Sequence, residues 1–272
     1  MDIFAIVGVL IGFGGVILGY ILEGKGEPVV AMLGALLQPT AALIVFGGTF
    51  GATAIHYPLS ELKKIPQALK TIFTIKQYNE VDIINQLAEL SEKARKDGLL
   101  SLEQDAQTNE NEMIRKGLAL VVDGIETEVI KDILERENQL HESIHESTAK
   151  IFESMGGYSP TMGVLGTVMG MVSILSDIGG DTNELAHSIA VAFIATMYGV
   201  MFANLVYLPF AGRIKSKAER EAMISDLIIE GLLSIQAGEN PRIIKEKLNL
   251  ALIEKMSGKG SGKQAAKEEA EG

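Results

Sequence analysis

The feature that most limits how this chain folds is the segregation of its charge. Residues 3–22, 39–56, 157–175 and 185–210 contain no Asp, Glu, Lys or Arg. Each run comes near the roughly 20 apolar residues that cross a bilayer. The averages, 47% hydrophobic and 6% aromatic with no tryptophan, conceal this, because they blend long apolar blocks with polar blocks charged enough for soluble helices. The predicted fold is all-α, a polytopic membrane protein with four transmembrane helices and a helical cytoplasmic domain. The formal net charge of −11 lies outside the apolar blocks. It argues against nucleic acid, which calls for a basic face. With no cysteine, disulfides, cysteine metal sites and thiol nucleophiles are excluded.

In chain order, residues 1–58 form an N-terminal membrane pair, with spans at about 2–22 and 39–56. The first run lacks a basic leader region and a small-x-small cleavage site, so it reads as a span rather than a signal peptide. Gly8/Gly12 and Gly15/Gly19 have the spacing that lets helices approach closely in lipid. Residues 23–28 form a polar turn and 29–37 an interfacial helix that Gln38-Pro39 interrupts. Tyr57-Pro58 closes the second span. Residues 59–154 make a cytoplasmic helical domain, mixing Lys63, Lys64, Lys70, Lys93 and Arg95 with acids. Apolar residues there recur at helical intervals, as in Val81, Ile84, Leu87 and Leu90. Gly98 is a helix stop, and a long acidic helix over 127–153 runs almost directly into the third span. Residues 155–212 are a membrane hairpin with a short acidic turn at Gly179-Gly180. Residues 213–256 are C-terminal cytoplasmic helices with a break at Asn240-Pro241, and 257–272 read as a disordered tail. Basic residues crowd the segments after the second and fourth spans, which places both termini and the large loop in the cytoplasm.

The hairpin carries the chemistry. Each arm holds a threonine, Thr167 and Thr196, and a proline, Pro160 and Pro209. Counting at 1.5 Å per residue puts both threonines about 18–20 Å below the outer turn. Pro160, Gly163, Thr167 and Gly170 share one helix face; Ala192, Thr196, Gly199 and Ala203 share another. Each face is a stripe of small residues plus one hydroxyl, with room for something to lie against it, and a hydroxyl can coordinate a cation or order water. The plainer alternative is a threonine bonding its own backbone at i−4. Pro160 reads either as a first-turn residue at the membrane edge or as a kink that frees backbone groups; Pro209 sits at the cytoplasmic end of its span. An ion path normally shows ionisable groups in the membrane, yet no acid lies deep, and His56 and His187 fall near span ends. Either the protein moves no ions or a partner helix supplies the carboxylate. No catalytic triad emerges, and His141/His145 alone are an incomplete metal set; no enzyme activity and no cofactor are expected.

Three stretches carry a family resemblance. Gly157-Tyr-Ser-Pro-Thr-Met-Gly-Val-Leu-Gly-Thr-Val-Met-Gly170 resembles the third span of the MotA/PomA flagellar stator family, in the wider MotA/TolQ/ExbB group. The run from Ala195 to Phe210 resembles its fourth span. Arg95-Lys-Asp-Gly-Leu-Leu-Ser-Leu-Glu-Gln-Asp105 resembles its cytoplasmic motif. The resemblance implies a homopentamer in the bacterial inner membrane around a MotB-type partner. That partner's membrane helix brings an essential aspartate. Cation flow would turn the ring against the rotor protein FliG, with Arg95 and Glu103 as the rotor-contacting charges and with Pro160 and Pro209 as the family's prolines. Complementary charge at a transient interface sets orientation and on-rate more than affinity. The two threonines lean the coupling ion towards sodium over the proton, although Ala195 stands where the family holds a further threonine. The alternatives are an ExbB/TolQ-type energising subunit, disfavoured by the N-terminal pair of spans, and a transporter or scaffold, disfavoured by the lack of an internal repeat.

Overall fold

A computed structural model of the chain describes residues 3–24, 28–74, 79–176 and 182–270. The expected turns around Lys25 and Gly179-Gly180 lie outside these residues. All regular structure among them is helical, and four helices are long and apolar enough to cross a membrane. In lipid the backbone has no water to bond, so a spanning segment must satisfy its own polar groups, and helices do this. The chain packs as two compact units, Met1–Ile75 with Ile144–Ser216, and Lys76–Ser143 with Lys217–Gly272. The expected boundaries at 58/59, 154/155 and 212/213 each fall within the first unit. Burial decides this: Ala68 and Ile72 near the start of the large loop, and Ala149, Ile151 and Phe152 at its end, share a core with Tyr207, Ala211 and Ile214.

The membrane unit begins with α1 (Ile3–Glu23) and α2 (Val29–Leu36). After a non-helical joint, α3 (Pro39–Ala42) continues through a π turn, Leu43–Gly47, into α4 (Gly48–His56). Proline begins α3 because its missing N–H is needed least at a helix start. The short α5 (Leu59–Leu62) and α6 (Ile65–Phe73) follow, capped by the shared core just described. The 50-residue α10 (Thr127–Ser176) enters this unit at Ile144. Pro160 lies inside α10, so the first-turn alternative is excluded; its missing N–H leaves the Gly156 carbonyl without its usual i+4 donor. The return arm is α11 (Thr182–Phe202), a π turn at Ala203–Tyr207, then α12 (Leu208–Gln236). Leu208 N–H donates to Ala203 O, a wide turn immediately before Pro209.

The second unit is built from α7 (Glu80–Asp97), a 3₁₀ turn (Leu99–Leu102), α8 (Glu103–Thr108) and α9 (Glu112–Val122), with the start of α10, most of α12, and α13 (Pro241–Ala270). Asn79 and Asn111 cap α7 and α9, their side-chain oxygens accepting from Val81 N–H and from Met113 and Ile114 N–H. Gly98 takes φ +85°, ψ 163°, a positive-φ extended conformation open essentially only to glycine, and ends α7 there. The apolar period of each helix meets in one core, in which Leu87, Leu102, Ile114, Leu118, Leu134 and Leu232 are buried. Where the sequence composition predicts disorder from residue 257, the backbone of α13 continues to Ala270; alanine, lysine and glutamate are good helix formers.

Candidate functional site

The two threonines meet. Thr167 Oγ1 and Thr196 Oγ1 are hydrogen-bonded to one another across α10 and α11. Thr167 Oγ1 lies 3.2 Å from Gly163 O, its own i−4 carbonyl, and 3.0 Å from Ala192 O on the opposite arm. Thr196 Oγ1 lies 3.3 Å from the same Gly163 O. Two hydroxyls and two carbonyls thus converge, two from each helix. Each hydroxyl has a single proton to donate, so its remaining lone pairs stay available to a cation or water. Back-bonding describes only part of what Thr167 does. Both threonines are half-buried, at the edge of the helix seam.

The stripes do not stand open as expected. They pack against each other. A Cβ at Gly163 would fall 2.9 Å from Ala195 O and 3.1 Å from Thr196 Cα. One at Gly170 would fall 2.6 Å from Ala192 Cβ, and one at Gly199 2.5 Å from Ser159 O. Small residues let the two backbones touch, which is how helices associate in lipid without a hydrophobic driving force. A foreign helix therefore cannot lie along either stripe. Such a helix is left with the outer flanks, where Val164, Leu165, Val168, Phe193 and Val200 are exposed.

Pro160 joins the seam: its Cα would sit 3.2 Å from a Cβ on Gly199. Pro209 does not. It is exposed and lies about 20 Å along the helix from Thr196. Sequence reasoning passed over Ser159, which is fully buried and donates to Gly199 O at 3.0 Å, stitching the arms one step inward. Its signal was present, since Ser159, Gly163, Gly166 and Gly170 form an unbroken run of small residues at helical spacing. His56, at the end of the second span, shares a 2.7 Å hydrogen bond with the Tyr158 hydroxyl.

In the second unit, Arg95 and Glu103 are exposed on either side of the Gly98 corner. Their neighbours are paired: Lys93 Nζ bonds Asp105 Oδ2 at 2.7 Å, tying α7 to α8, and Lys96 bonds Glu92 at 2.5 Å. The Lys96 hydrogen bond holds the Glu92 carboxyl below its usual range, and the same contact raises the Lys96 ammonium. Neither Arg95 nor Glu103 has an ion-pair partner among the described residues. They are free to meet an external surface.

Among the described residues no group of three or more His, Cys, Asp or Glu is arranged to hold a metal ion.

Residues 6–98 match the profile of the motility protein A N-terminal region, and residues 105–227 match that of the MotA/TolQ/ExbB proton channel family. Motility protein A of Bacillus subtilis is 35% identical over 253 residues, covering 93% of this chain and 91% of its own. Chemotaxis protein PomA of Vibrio alginolyticus is 30% identical over 254 residues, covering 93% and 96%. Among solved structures, the flagellar MotAB stator complex from Bacillus subtilis aligns with a TM-score of 0.82 at 35% identity, covering 89% of this chain and 93% of that one. The C. jejuni MotAB structure aligns with a TM-score of 0.84 at 28% identity, covering 92% and 96%. With both profiles matched in order and relatives aligned over nearly their full length, this chain belongs to the MotA/TolQ/ExbB family.

Proposed function

We propose that this chain is the ring subunit of a flagellar stator, coupling cation flow across the bacterial inner membrane to torque on a rotor. The observation that carries the reading is the pair of hydroxyls and carbonyls assembled at one depth between two charge-free spans, residues 157–175 of α10 and 185–202 of α11. Such a cluster offers oxygen ligands but no carrier of charge. The spans contain no Asp or Glu, so a MotB-type partner supplies the essential aspartate. Its membrane helix lies against the exposed flanks of α10 and α11. The likeness to motility protein A and PomA at 30% identity or more, and to the MotAB stator complex from Bacillus subtilis, supports that partnership. The match of residues 6–98 to the motility-specific N-terminal profile favours a motor over an ExbB/TolQ-type energiser.

The subunits assemble as a homopentamer, with both termini on the cytoplasmic side. Arg213, Lys215, Lys217 and Arg220 at the inner end of the fourth span support that orientation by the positive-inside rule. Arg95 and Glu103 present complementary charge to a FliG-type rotor. The coupling ion is sodium: a dehydrated sodium ion needs several oxygen ligands, and Thr167, Thr196 and their carbonyls provide them beside the partner's carboxylate. Swimming speed with sodium removed, then with a protonophore added, tests this. Speed lost without sodium and kept with the protonophore supports sodium; the reverse assigns the proton. Motility unaffected by deleting this chain refutes the stator reading itself.

A further inference from the structure

We infer that Tyr198 is a positioning residue of the ion path, pinning the joint between the interfacial helix and the second span to the helix that carries Thr196. The joint is Leu37-Gln38, where the backbone leaves the helix at φ −90°, ψ 90° and then φ −115°, ψ 100°. It interrupts a stretch, Val29–His56, that as a whole is apolar enough to lie in a membrane. Non-helical backbone at such a place needs protein partners, because lipid offers none.

The joint finds them in two ways. Gln38 Nε2 donates to Ala35 O at 3.3 Å. The Tyr198 hydroxyl does the rest: it accepts from Gln38 N–H at 3.2 Å and donates to Leu36 O. One oxygen thus closes a donor on one side of the break and an acceptor on the other, from 160 residues away in sequence. The ring is held in turn, stacked on Phe46 with centroids 6.1 Å apart at 23°. Tyr198 lies two residues beyond Thr196 and one before Gly199, whose backbone touches Ser159 and Pro160. A tyrosine ring on a helix reaches towards the helix N-terminus. Tyr198 and Thr196 therefore sit on one stiff stretch of α11, to which the joint is hydrogen-bonded. Displacing the joint moves the helix that holds the Thr196 hydroxyl, and with it the Thr167–Thr196 contact. That this matters for ion passage rests on the stator reading; the pin itself does not.

Tyr198→Phe tests it, in the full chain co-expressed with its MotB-type partner. The substitution keeps the ring and removes only the hydroxyl. Hydrogen–deuterium exchange of the assembled complex in nanodiscs should show the peptide containing Gln38 exchanging about three- to tenfold faster, with α12 unchanged. Swimming speed titrated with sodium chloride at fixed pH, and with external pH at fixed sodium, should show the half-saturating concentration of the required cation shifted by at least about twofold per assembled motor. A purely structural role would lower the number of assembled units and leave that concentration alone. Phe46→Leu, which loosens the stack but keeps the hydroxyl, should shift it less. Unchanged exchange at Gln38 overturns the pin. Faster exchange with an unchanged half-saturating concentration overturns its role in the ion path. Failure of Tyr198→Phe to assemble also overturns that role, since the hydroxyl would then serve folding alone. Wild-type protein that drives no motility would sink the stator reading while leaving the exchange result to stand or fall by itself.

Discussion

Gly199→Ala is the sharpest perturbation of the hairpin. The new Cβ would lie 2.5 Å from Ser159 O, 3.1 Å from Gly163 Cα and 3.2 Å from Pro160 Cα, whereas ordinary contact begins at 3.4 Å. All three obstacles are backbone, so no rotamer change relieves them, and the arms must part by about 0.9 Å. The bond from Thr167 Oγ1 to Ala192 O, now 3.0 Å, would open towards about 3.9 Å, beyond hydrogen-bonding reach. Overpacking of this kind costs about 1–3 kcal/mol. Glycine to alanine in a helix also gains roughly 0.5–1 kcal/mol, and Gly212→Ala, whose Cβ meets nothing within 4 Å, controls for that gain. Thermal unfolding of the detergent-solubilised protein should therefore rank Gly199→Ala below Gly212→Ala, with motility falling only in the former. Equal stability and equal swimming would refute the claim that backbone contact between the stripes holds the threonines together.

Thr167→Ala or Thr196→Ala should weaken the seam by about 0.6 kcal/mol, the average for hydrogen bonds between membrane helices, and by no more than about 1.7 kcal/mol, and should impair sodium-dependent swimming; an unchanged speed–sodium curve would remove the hydroxyls from the ion path. Arg95→Glu should reduce torque on tethered cells while leaving stator assembly intact, because the side chain is exposed and holds nothing in place; full torque would demote the Gly98 corner as a rotor surface. Glu61 is held below the usual carboxylate range, first by its hydrogen bond to Lys64 and then by Ser147. A depressed carboxylate adds stability above its unfolded value and loses it as pH falls through the folded one. Lys64→Met should move that loss to higher pH in acid unfolding curves, and superimposable curves would contradict the assignment.

Much of this was legible in the sequence, for physical reasons that vary by element. Charge-free runs marked the spans because lipid penalises charge wherever the chain goes. Gly98 was readable as a stop because a positive φ excludes most side chains. Depth counting brought Thr167 and Thr196 to one level, since helical rise is fixed. What periodicity does not encode is the object a face meets. The small stripes were expected to await a foreign helix, yet Gly163, Gly170 and Gly199 meet the other arm directly. Long-range pairings were hidden for the same reason: nothing local ties Tyr198 to Leu36 or Ser159 to Gly199. The unit boundary at Ile75 and Ile144 arose from a core assembled from three separate segments, which no composition shift announces.

The central claim is that this chain builds the wall of a cation path and lacks its charge carrier. Ion flux into liposomes tests that most directly, measured with sodium and proton dyes on the chain alone and on the chain reconstituted with its MotB-type partner. The account predicts no flux from the chain alone and flux with the partner, abolished when the partner's membrane aspartate is neutralised. Robust conductance by the chain alone would contradict it.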